Sequence, residues 1–396
     1  MLALQLAWRF LREGRAQSVL ILGGVTVGIA AYVFVSAIIA GLQANLLDKT
    51  LGTQAHIVVE SEEPPPRPLM EGDEGYARRL EPPEPRRRPF DQWQRALRRI
   101  EHSDGVTTAC PKVVGAVLVQ RGATQKAAEL LGAQPSRLNR IIDFSSNMQA
   151  GSHRVGSNEI LIGDVLASEL GAEIGSPLRV VGDGSETTLR VSGIFHLGVE
   201  SIDGGRVVTS LRNAQTLLSR FGDITAIDVR VQDPFEADAI AQRIRERTGL
   251  ETQSWMDRNQ ELLVALRSQD SSTLMIRIFV LLAVAMGIAS VLFVSVVQRR
   301  PQIGILRAVG ASQGTVLAVF LWQGALLGLA GALLGSLLGA LFAELLESSA
   351  LFEIDVSPRL LSTALLISLL TGVLAALLPA RRAARMNPVD AIRGEG

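Results

Sequence analysis

Four long apolar segments constrain this chain more than any other feature of its sequence. They lie at about residues 18–42, 278–297, 316–341 and 360–378, and none has a charged residue in its interior. A helix needs about 20 apolar residues to cross a bilayer, so each segment is long enough to do so. The first is longer than the apolar core of about 7–15 residues in a signal peptide, and no small-residue cleavage site follows it. We therefore expect four transmembrane helices, all retained.

The charges that flank these segments predict the orientation of the chain. Arginines precede the first segment, lie between the second and third, and follow the fourth, whereas the connection between the third and fourth is acidic. Because basic residues accumulate in cytoplasmic loops, we expect both termini and residues 298–314 to face the cytoplasm. Residues 46–260 and the acidic connection 344–358 then face outward.

The long insert between the first two segments predicts an extracytoplasmic α+β domain. Apolar runs and alternation predict strands at 55–60, 113–119, 159–163, 178–181, 187–195, 224–231 and 250–255. Helices are expected at 90–100, 164–170 and 234–248. In the first of these, the apolar residues at helical spacing are Phe90, Trp93, Leu97 and Ile100. We expect an inserted subdomain at about 112–220 and, from its Pro, Glu and Arg content, a mobile loop at 61–89.

Composition and motifs exclude several classes of function. The 39 basic and 39 acidic residues cancel, which argues against binding to nucleic acid. A single cysteine, Cys110, rules out an internal disulfide and a multi-cysteine zinc site, and the four histidines are scattered. None of the lysines follows a phosphate-binding glycine loop. We therefore expect no catalysis, no metal and no cofactor in this chain.

Small residues at a spacing of four mark faces where membrane helices can approach closely. Such a pair, Gly24 and Gly28, lies on the first helix, and a longer series lies on the third: Gly324, Gly328, Gly331, Gly335 and Gly339. For the third helix we expect packing within the chain. For the first helix, packing within the chain and a seam between two copies both remain open.

The stretch QRRPQIGILRAVGASQG, residues 298–314, is the most informative in the sequence. Pro301 is tolerated at the start of a helix, Gly310 ends it, and Ser312 caps the next helix. Ile303, Leu306 and Val309 predict a short amphipathic helix outside the membrane, and its apolar face needs a partner. The N-terminal segment, with Leu2, Leu6 and Phe10, predicts a second amphipathic helix lying on lipid headgroups.

At this stretch the sequence resembles the FtsX/MacB-type (type VII) ABC transporter permeases. The tail PARRAARMNPVDAIR, residues 379–393, is similar to the ending of the same family, and the order of helices agrees over nearly the whole chain. Two departures exist: glutamine, at Gln298 and Gln302, replaces both acids of the first motif, and the Pro-rich insert is unusual.

The resemblance implies a fold and a mechanism. The outer domain would be a MacB-like periplasmic core domain, and the protein would lie in a bacterial inner membrane as a homodimer or heterodimer. A separate ATPase would bind ATP and Mg²⁺ and would receive a coupling helix from this chain. The residues implied for that contact are Pro301, Gln302, Ile303, Ile305, Leu306, Arg307, Val309 and Gly310. The first two membrane helices would extend as a stalk and carry motion to the outer domain.

Three functions within the family remain open. The first is a Lol-like extraction of lipoproteins with a periplasmic carrier, in which acyl chains would lodge near Phe34, Ile38 and Leu42; these are also ordinary lipid-facing residues. The second is a MacB-like mechanotransmitter in an efflux pump, with a periplasmic adaptor and an outer-membrane channel. The third is an FtsX-like regulator of a cell-wall hydrolase, although outer domains of that type are usually smaller.

The predicted organisation is as follows. The segments are a cytoplasmic amphipathic segment (1–17), transmembrane helix 1 with stalk (18–45), the periplasmic α+β domain (46–260), stalk with transmembrane helix 2 (261–297), the coupling helix (298–314), transmembrane helix 3 (315–343), a periplasmic loop (344–358), transmembrane helix 4 (359–380) and a cytoplasmic tail (381–396).

Overall fold

The structure, a computed structural model, describes residues 2–13, 15–61, 90, 92–183, 185–347, 354 and 356–386. Residues 62–89 of the predicted loop at 61–89, residues 348–353 and 355 of the predicted connection at 344–358, and the end of the tail, 387–396, lie outside the described residues. The chain divides into two compact units. We call Met1–Leu46 with Val264–Gly396 the helical unit, and Leu47–Leu263 the sheet unit.

The described residues form helices and strands with the following bounds. The helices are α1 (Leu2–Glu13), α2 (Arg15–Thr53), α3 (Trp93–Glu101), α4 (Pro135–Ile141), α5 (Asp164–Leu170), α6 (Glu200–Asp203), α7 (Leu211–Leu217), α8 (Ala237–Thr248), α9 (Trp255–Arg258), α10 (Gln260–Gln298), α11 (Arg300–Ala308), α12 (Gln313–Glu347) and α13 (Pro358–Ala384). The strands are β1 (Ile57–Glu60), β2 (Val106–Arg121), β3 (Thr124–Ala133), β4 (Met148–Gly151), β5 (Glu159–Gly163), β6 (Pro177–Val181), β7 (Glu186–Phe195), β8 (Arg206–Ser210), β9 (Ala226–Val231) and β10 (Glu251–Ser254).

Within the described residues, α2, α10, α12 and α13 are long and apolar enough to cross a membrane. Each contains one of the predicted apolar segments and extends beyond it at both ends. Both α2 and α10 have 39 residues and are therefore about 58 Å long, roughly twice the hydrocarbon thickness of a bilayer. Each continues without a break past the boundary of the helical unit, at Leu46 and Val264.

Glycines bring α12 close to two other helices of the helical unit. A Cβ on Gly331, Gly335 or Gly339 would meet residues of α2 at 2.3–2.8 Å, whereas Gly324 and Gly328 face α13. At the second contact the Ser368 hydroxyl donates a hydrogen bond of 2.8 Å to the carbonyl oxygen of Gly328. The packing predicted within the chain for this helix is thus what the structure has.

The sheet unit contains one mixed sheet in the order β10-β1-β9-β2-β3-β8-β5-β7-β4, and β6 pairs with β2 and β7. The long strand β2 pairs with β9 at Val106–Lys112 and with β3 at Lys112–Arg121. The predicted start of an inserted subdomain at 112 therefore falls in the middle of β2, and the sheet continues across it.

Alternation along the strands divides the core of this unit into two layers. Ile57 and Val59 lie in one cluster with residues of α3 and α8, and Val58 lies in another with residues of α4. Successive side chains of a strand point to opposite faces, so a strand with both faces covered is apolar throughout. Of the stripe predicted on a helix at 90–100, Leu97 and Ile100 are buried and Trp93 is half-buried, whereas the buried Phe90 lies before α3, which begins at Trp93.

Candidate functional site

The helix α11 occupies the position of the predicted coupling helix. It spans Arg300–Ala308, against a predicted Pro301–Val309. Pro301 lies in the first turn of α11. Backbone N–H groups there make no hydrogen bond within the helix, so proline, which lacks this group, is tolerated. Gly310 has a φ of 100°, a left-handed conformation that ends the helix without a steric penalty. The Ser312 hydroxyl then accepts a backbone hydrogen bond of 3.2 Å at the start of α12.

One face of α11 packs inside the helical unit. Ile303 is buried, and together with Leu306 it lines a small apolar cavity whose other walls are Leu6, Phe10, Val316, Val319 and Phe320. Arg307 points into the same unit, where its Nη1 donates hydrogen bonds to carbonyl oxygens of Ala384, at 3.2 Å, and Met386. Ile303, Leu306 and Arg307 therefore attach α11 to its own chain.

The opposite face of α11 is exposed. Ile305 is 58% exposed and Val309 is 84% exposed, and Pro301, Gln302 and Gly310 are exposed beside them. The predicted apolar face of Ile303, Leu306 and Val309 is wrong as one surface, because the first two residues point inward and Val309 lies just beyond the last helical residue. The surface open to a partner is instead built around Ile305 and Val309.

The junction between α10 and α11 is held by Arg299. Its Nη2 donates a hydrogen bond of 2.6 Å to the carbonyl oxygen of Phe10, and its guanidinium lies 4.3 Å from the centre of the Phe10 ring. Its Nη1 lies 3.5 Å from a carboxylate oxygen of Glu13. No local pattern in the sequence marks Arg299 for this role, because Arg299 and Phe10 are 289 positions apart.

The two glycines of the pair predicted on the first membrane helix have different surroundings in the structure. A Cβ on Gly28 would lie 2.6 Å from Cγ2 of Val284, so Gly28 allows α2 to approach α10 within the chain. A Cβ on Gly24 would meet nothing within 4 Å, and Gly24 is exposed. Only Gly24 is therefore free for a contact with a second chain, and that contact stays a prediction.

All three predicted lipid-cavity residues lie on α2, and two of them, Phe34 and Ile38, lie where α2 meets α12. The rings of Phe34 and Phe342 meet edge to face with centres 6.3 Å apart. Phe34 and Ile38 also pack against the cluster of Ala37, Ala343 and Ile354, and Leu42 is half-buried. Their role in holding acyl chains stays a prediction.

In the sheet unit the structure brings together side chains that looked scattered in the sequence. Nδ1 of His196 lies 3.0 Å from Oδ2 of Asp164 and 3.5 Å from Oδ2 of Asp203. The buried Asp203 already accepts backbone hydrogen bonds from Leu197, Gly198 and Val199 at 2.8–3.2 Å. These hydrogen bonds make Asp203 a clamp on the loop after β7.

Cys110 is buried in the sheet unit. Burial, followed by the nearby Asp228 carboxylate, raises the pKa of its thiol to about 12. A thiol needs its thiolate form to act as a nucleophile or metal ligand, so this environment suits a structural residue. Cys110 therefore packs as a small core residue.

Two family models together match most of the chain. A MacB-like periplasmic core domain matches residues 18–247, and an FtsX-like permease C-terminal domain matches residues 274–388. The interval between the two matches, residues 248–273, contains β10, α9 and the first part of α10.

Individual relatives cover almost the whole chain at low identity. The chain is 24% identical to the lipoprotein-releasing system transmembrane protein LolC of Neisseria meningitidis, over 94% of this chain and 93% of that protein. It is 28% identical to the macrolide export ATP-binding/permease protein MacB of Escherichia coli K12, over 99% of this chain and 60% of that protein. Among solved structures, the periplasmic region of MacB from Actinobacillus actinomycetemcomitans is similar with a TM-score of 0.36 and 11% identity, covering 54% of this chain and 95% of that one.

Proposed function

The chain belongs to the family of ABC transporter permeases that combine a MacB-like periplasmic core domain with an FtsX-like permease domain, and from this membership we propose its mechanism. A separate ATPase subunit, which binds ATP and Mg²⁺, seats α11 at the cytoplasmic surface of a bacterial inner membrane. ATP-driven movement of that subunit displaces α11. The displacement changes the conformation of the sheet unit in the periplasm, and the change extracts lipoproteins from the membrane.

The exposure of Ile305 and Val309 carries this proposal. Ile305 is a large apolar side chain on a short helix outside the candidate spans, Val309 is the residue that follows this helix, and both are more than half exposed. Apolar residues grouped on a surface mark sites of contact with a protein or a membrane, and we propose a protein at this one. The opposite face of α11 is anchored through Ile303 and Arg307, so a partner that grips the exposed face would move an attached element.

The connections of α11 support transmission of such a movement. One residue, Arg299, separates α11 from α10, and a turn at 309–312 separates it from α12. A displacement of α11 is therefore passed to both neighbouring helices, since neither connection is long enough to absorb it. α10 runs as an unbroken helix of 39 residues from that junction.

The proposed assembly contains two permease chains, identical or different, and two ATPase subunits. The exposed Gly24 would lie at the contact between the two permeases, and Phe34, Ile38 and Leu42 would border the space for acyl chains. Lipoprotein release is favoured as the cargo function because the similarity to LolC extends over 94% of the chain. A periplasmic carrier would then receive the lipoprotein.

A second candidate function is mechanotransmission in an efflux pump with a periplasmic adaptor. It is favoured by the similarity to MacB over 99% of the chain and by the match of the periplasmic core domain. The two candidates share the mechanism at α11 and differ in what the sheet unit engages.

Co-purification of the tagged chain from native membranes in mild detergent tests the proposed coupling surface. We expect Ile305→Asp to reduce the recovered ATPase at least tenfold, because a carboxylate would be buried without a partner in the contact. The matched control is Val264→Asp, since Val264 is 63% exposed on a different helix. Normal recovery of the ATPase with Ile305→Asp would show that α11 is not the coupling helix.

Mass spectrometry of the same wild-type preparation distinguishes the two cargo functions. Acylated lipoproteins together with an ATPase, and without an adaptor, would support lipoprotein extraction. A membrane-fusion adaptor together with an ATPase would support the efflux function and refute the extraction proposal.

A further inference from the structure

The helix α1 turns a different face outward from the one that the sequence suggested. Leu6 and Phe10, expected to lie on lipid, instead line the apolar cavity shared with α11 and α12. Ala7, between them, is fully buried. α1 is therefore packed onto the helical unit through the face expected to meet lipid, and its other face is available for contacts outside the chain.

The outward face of α1 combines apolar and basic side chains. Leu4 is 41% exposed and Trp8 is 63% exposed, one helical turn apart, and Arg12 is exposed one turn further on. The Arg9 side chain, 75% exposed, borders this row and forms an ion pair with Glu13 across one turn, at 3.0 Å. We call Leu4, Trp8, Arg9 and Arg12 the tryptophan–arginine face.

The surroundings of this face in the helical unit are strongly basic. The described arginines at the same end of the membrane helices are Arg9, Arg12, Arg15, Arg299, Arg300, Arg307, Arg381, Arg382 and Arg385, and the acidic residue described there is Glu13. Three of these arginines are committed to the protein through contacts with Phe10, Ala384 and the Phe293 ring. Arg12 instead points away from the packed face of its helix.

We propose that the tryptophan–arginine face is a docking surface for anionic phospholipid headgroups. An indole is stable at the boundary between hydrocarbon and headgroup because its ring is apolar and its N–H is polar. A guanidinium matches the oxygens of a phosphate through paired donors. Basic residues beside a membrane select anionic lipid over zwitterionic lipid, by about fivefold for each arginine near the surface.

The contacts on the packed face of α1 give this docking surface a link to α11. The ring and the carbonyl oxygen of Phe10 hold Arg299, and Leu6 shares the cavity with Ile303 and Leu306. A headgroup that holds α1 at the membrane surface thereby restrains the end of α10 and the inner face of α11. The inference requires only that the four apolar helices lie in a bilayer, and it is independent of the ATPase and of the cargo.

Fluorescence quenching by brominated lipids tests the proposal directly. The full chain is placed in nanodiscs of three parts phosphatidylcholine and one part phosphatidylglycerol, and bromine is carried by the phosphatidylglycerol or by an equal amount of the phosphatidylcholine. The signal of Trp8 is the difference between the wild type and Trp8→Phe, which removes the contributions of Trp93, Trp255 and Trp322. We expect brominated phosphatidylglycerol to quench Trp8 several-fold more strongly than the matched phosphatidylcholine.

Two variants show whether the arginine is responsible. Arg12→Gln is expected to lower the preference for the anionic lipid about fivefold. Arg359→Gln, at the start of α13 and at the other end of the membrane helices, is the matched control and should leave the preference unchanged. Equal quenching by both lipids, absence of quenching by either, or an unchanged preference in Arg12→Gln would overturn the proposal; absence of quenching would point to a protein partner on this face.

Discussion

Gly324 and Gly372 lie backbone to backbone where α12 meets α13. A Cβ on Gly324 would stand 2.3 Å from the carbonyl oxygen of Gly372, and a Cβ on Gly372 would stand 2.4 Å from the carbonyl oxygen of Gly324. Glycine on both helices therefore lets the backbones approach more closely than any side chain would allow. In a bilayer such close packing replaces the hydrophobic effect as the force that holds helices together.

Substitution of Gly324 by alanine is expected to destabilise the helical unit. The added methyl group overlaps a backbone carbonyl that cannot move away, so we expect a loss of about 1–3 kcal/mol in the free energy of unfolding. Thermal unfolding of the full chain in detergent measures the effect. The control is Gly287→Ala on α10, where a Cβ would meet nothing within 4 Å and the higher helix propensity of alanine should stabilise by up to about 1 kcal/mol. Equal effects of the two substitutions would contradict the close contact.

Leu306→Asp and Ile305→Asp are expected to have different effects on stability although they are neighbours on α11. Leu306 lines the apolar cavity with Leu6 and Phe10, so Leu306→Asp should cost at least about 2 kcal/mol. Ile305 is 58% exposed, and Ile305→Asp should leave the stability of the isolated chain within about 0.5 kcal/mol. Thermal unfolding without the ATPase separates the two. If Ile305→Asp were the more damaging variant, the assignment of the two faces would be reversed.

Asp203→Asn should loosen the loop that follows β7. The substitution replaces one carboxylate oxygen by an N–H donor that faces backbone N–H groups, so we expect a loss of about 2–3 kcal/mol in the stability of the sheet unit. Hydrogen exchange at residues 197–199 should rise in the full-length protein. The exposed neighbour Glu200, changed to Gln, provides the control. Unchanged exchange in Asp203→Asn would show that the clamp is not required.

Cys110 should resist alkylation in the native protein. Its pKa of about 12, raised by burial and then by Asp228, leaves almost no thiolate at pH 8. Iodoacetamide should label it only after denaturation, and mass spectrometry is unambiguous because the chain has one cysteine. An added exposed cysteine, Ala123→Cys, confirms that the reagent is active. Rapid labelling of native Cys110 would refute its inert environment.

His56 should make the sheet unit less stable in mild acid. Burial, followed by the charge of Arg230, lowers the pKa of its imidazole below the ordinary 6.5. The unfolded chain then binds the proton more readily, so stability is complete above pH 6.5 and falls as the pH decreases from there towards the folded pKa. The slope from this group is at most about 1.4 kcal/mol per pH unit. Urea unfolding between pH 7.5 and 5 should show a shallower dependence in His56→Gln, and an identical slope would exclude His56 as the cause.

The sequence by itself determined the elements whose signal is local. Each of the four apolar segments is stable in a bilayer as a helix, because a helix satisfies the backbone N–H and C=O groups by hydrogen bonds within the segment. Pro301 and Gly310 delimit α11 to within a residue, since one residue lacks an N–H and the other adopts a left-handed conformation. The pair β5 and α5 was predicted with its bounds for the same reason, as an apolar run followed by a helical pattern.

Only the tertiary structure decided which surfaces those elements share. The segment TQKAAELLGA is rich in helix-forming residues and gave no strand signal, yet it is β3, because pairing with β2 and β8 outweighs its local preference. The inward face of α11, the meeting of Arg299 with Phe10, and the approach of Gly28 to Val284 all join residues far apart in the chain. Periodicity shows that a helix has an apolar face, but the partner of that face is determined by packing between distant segments.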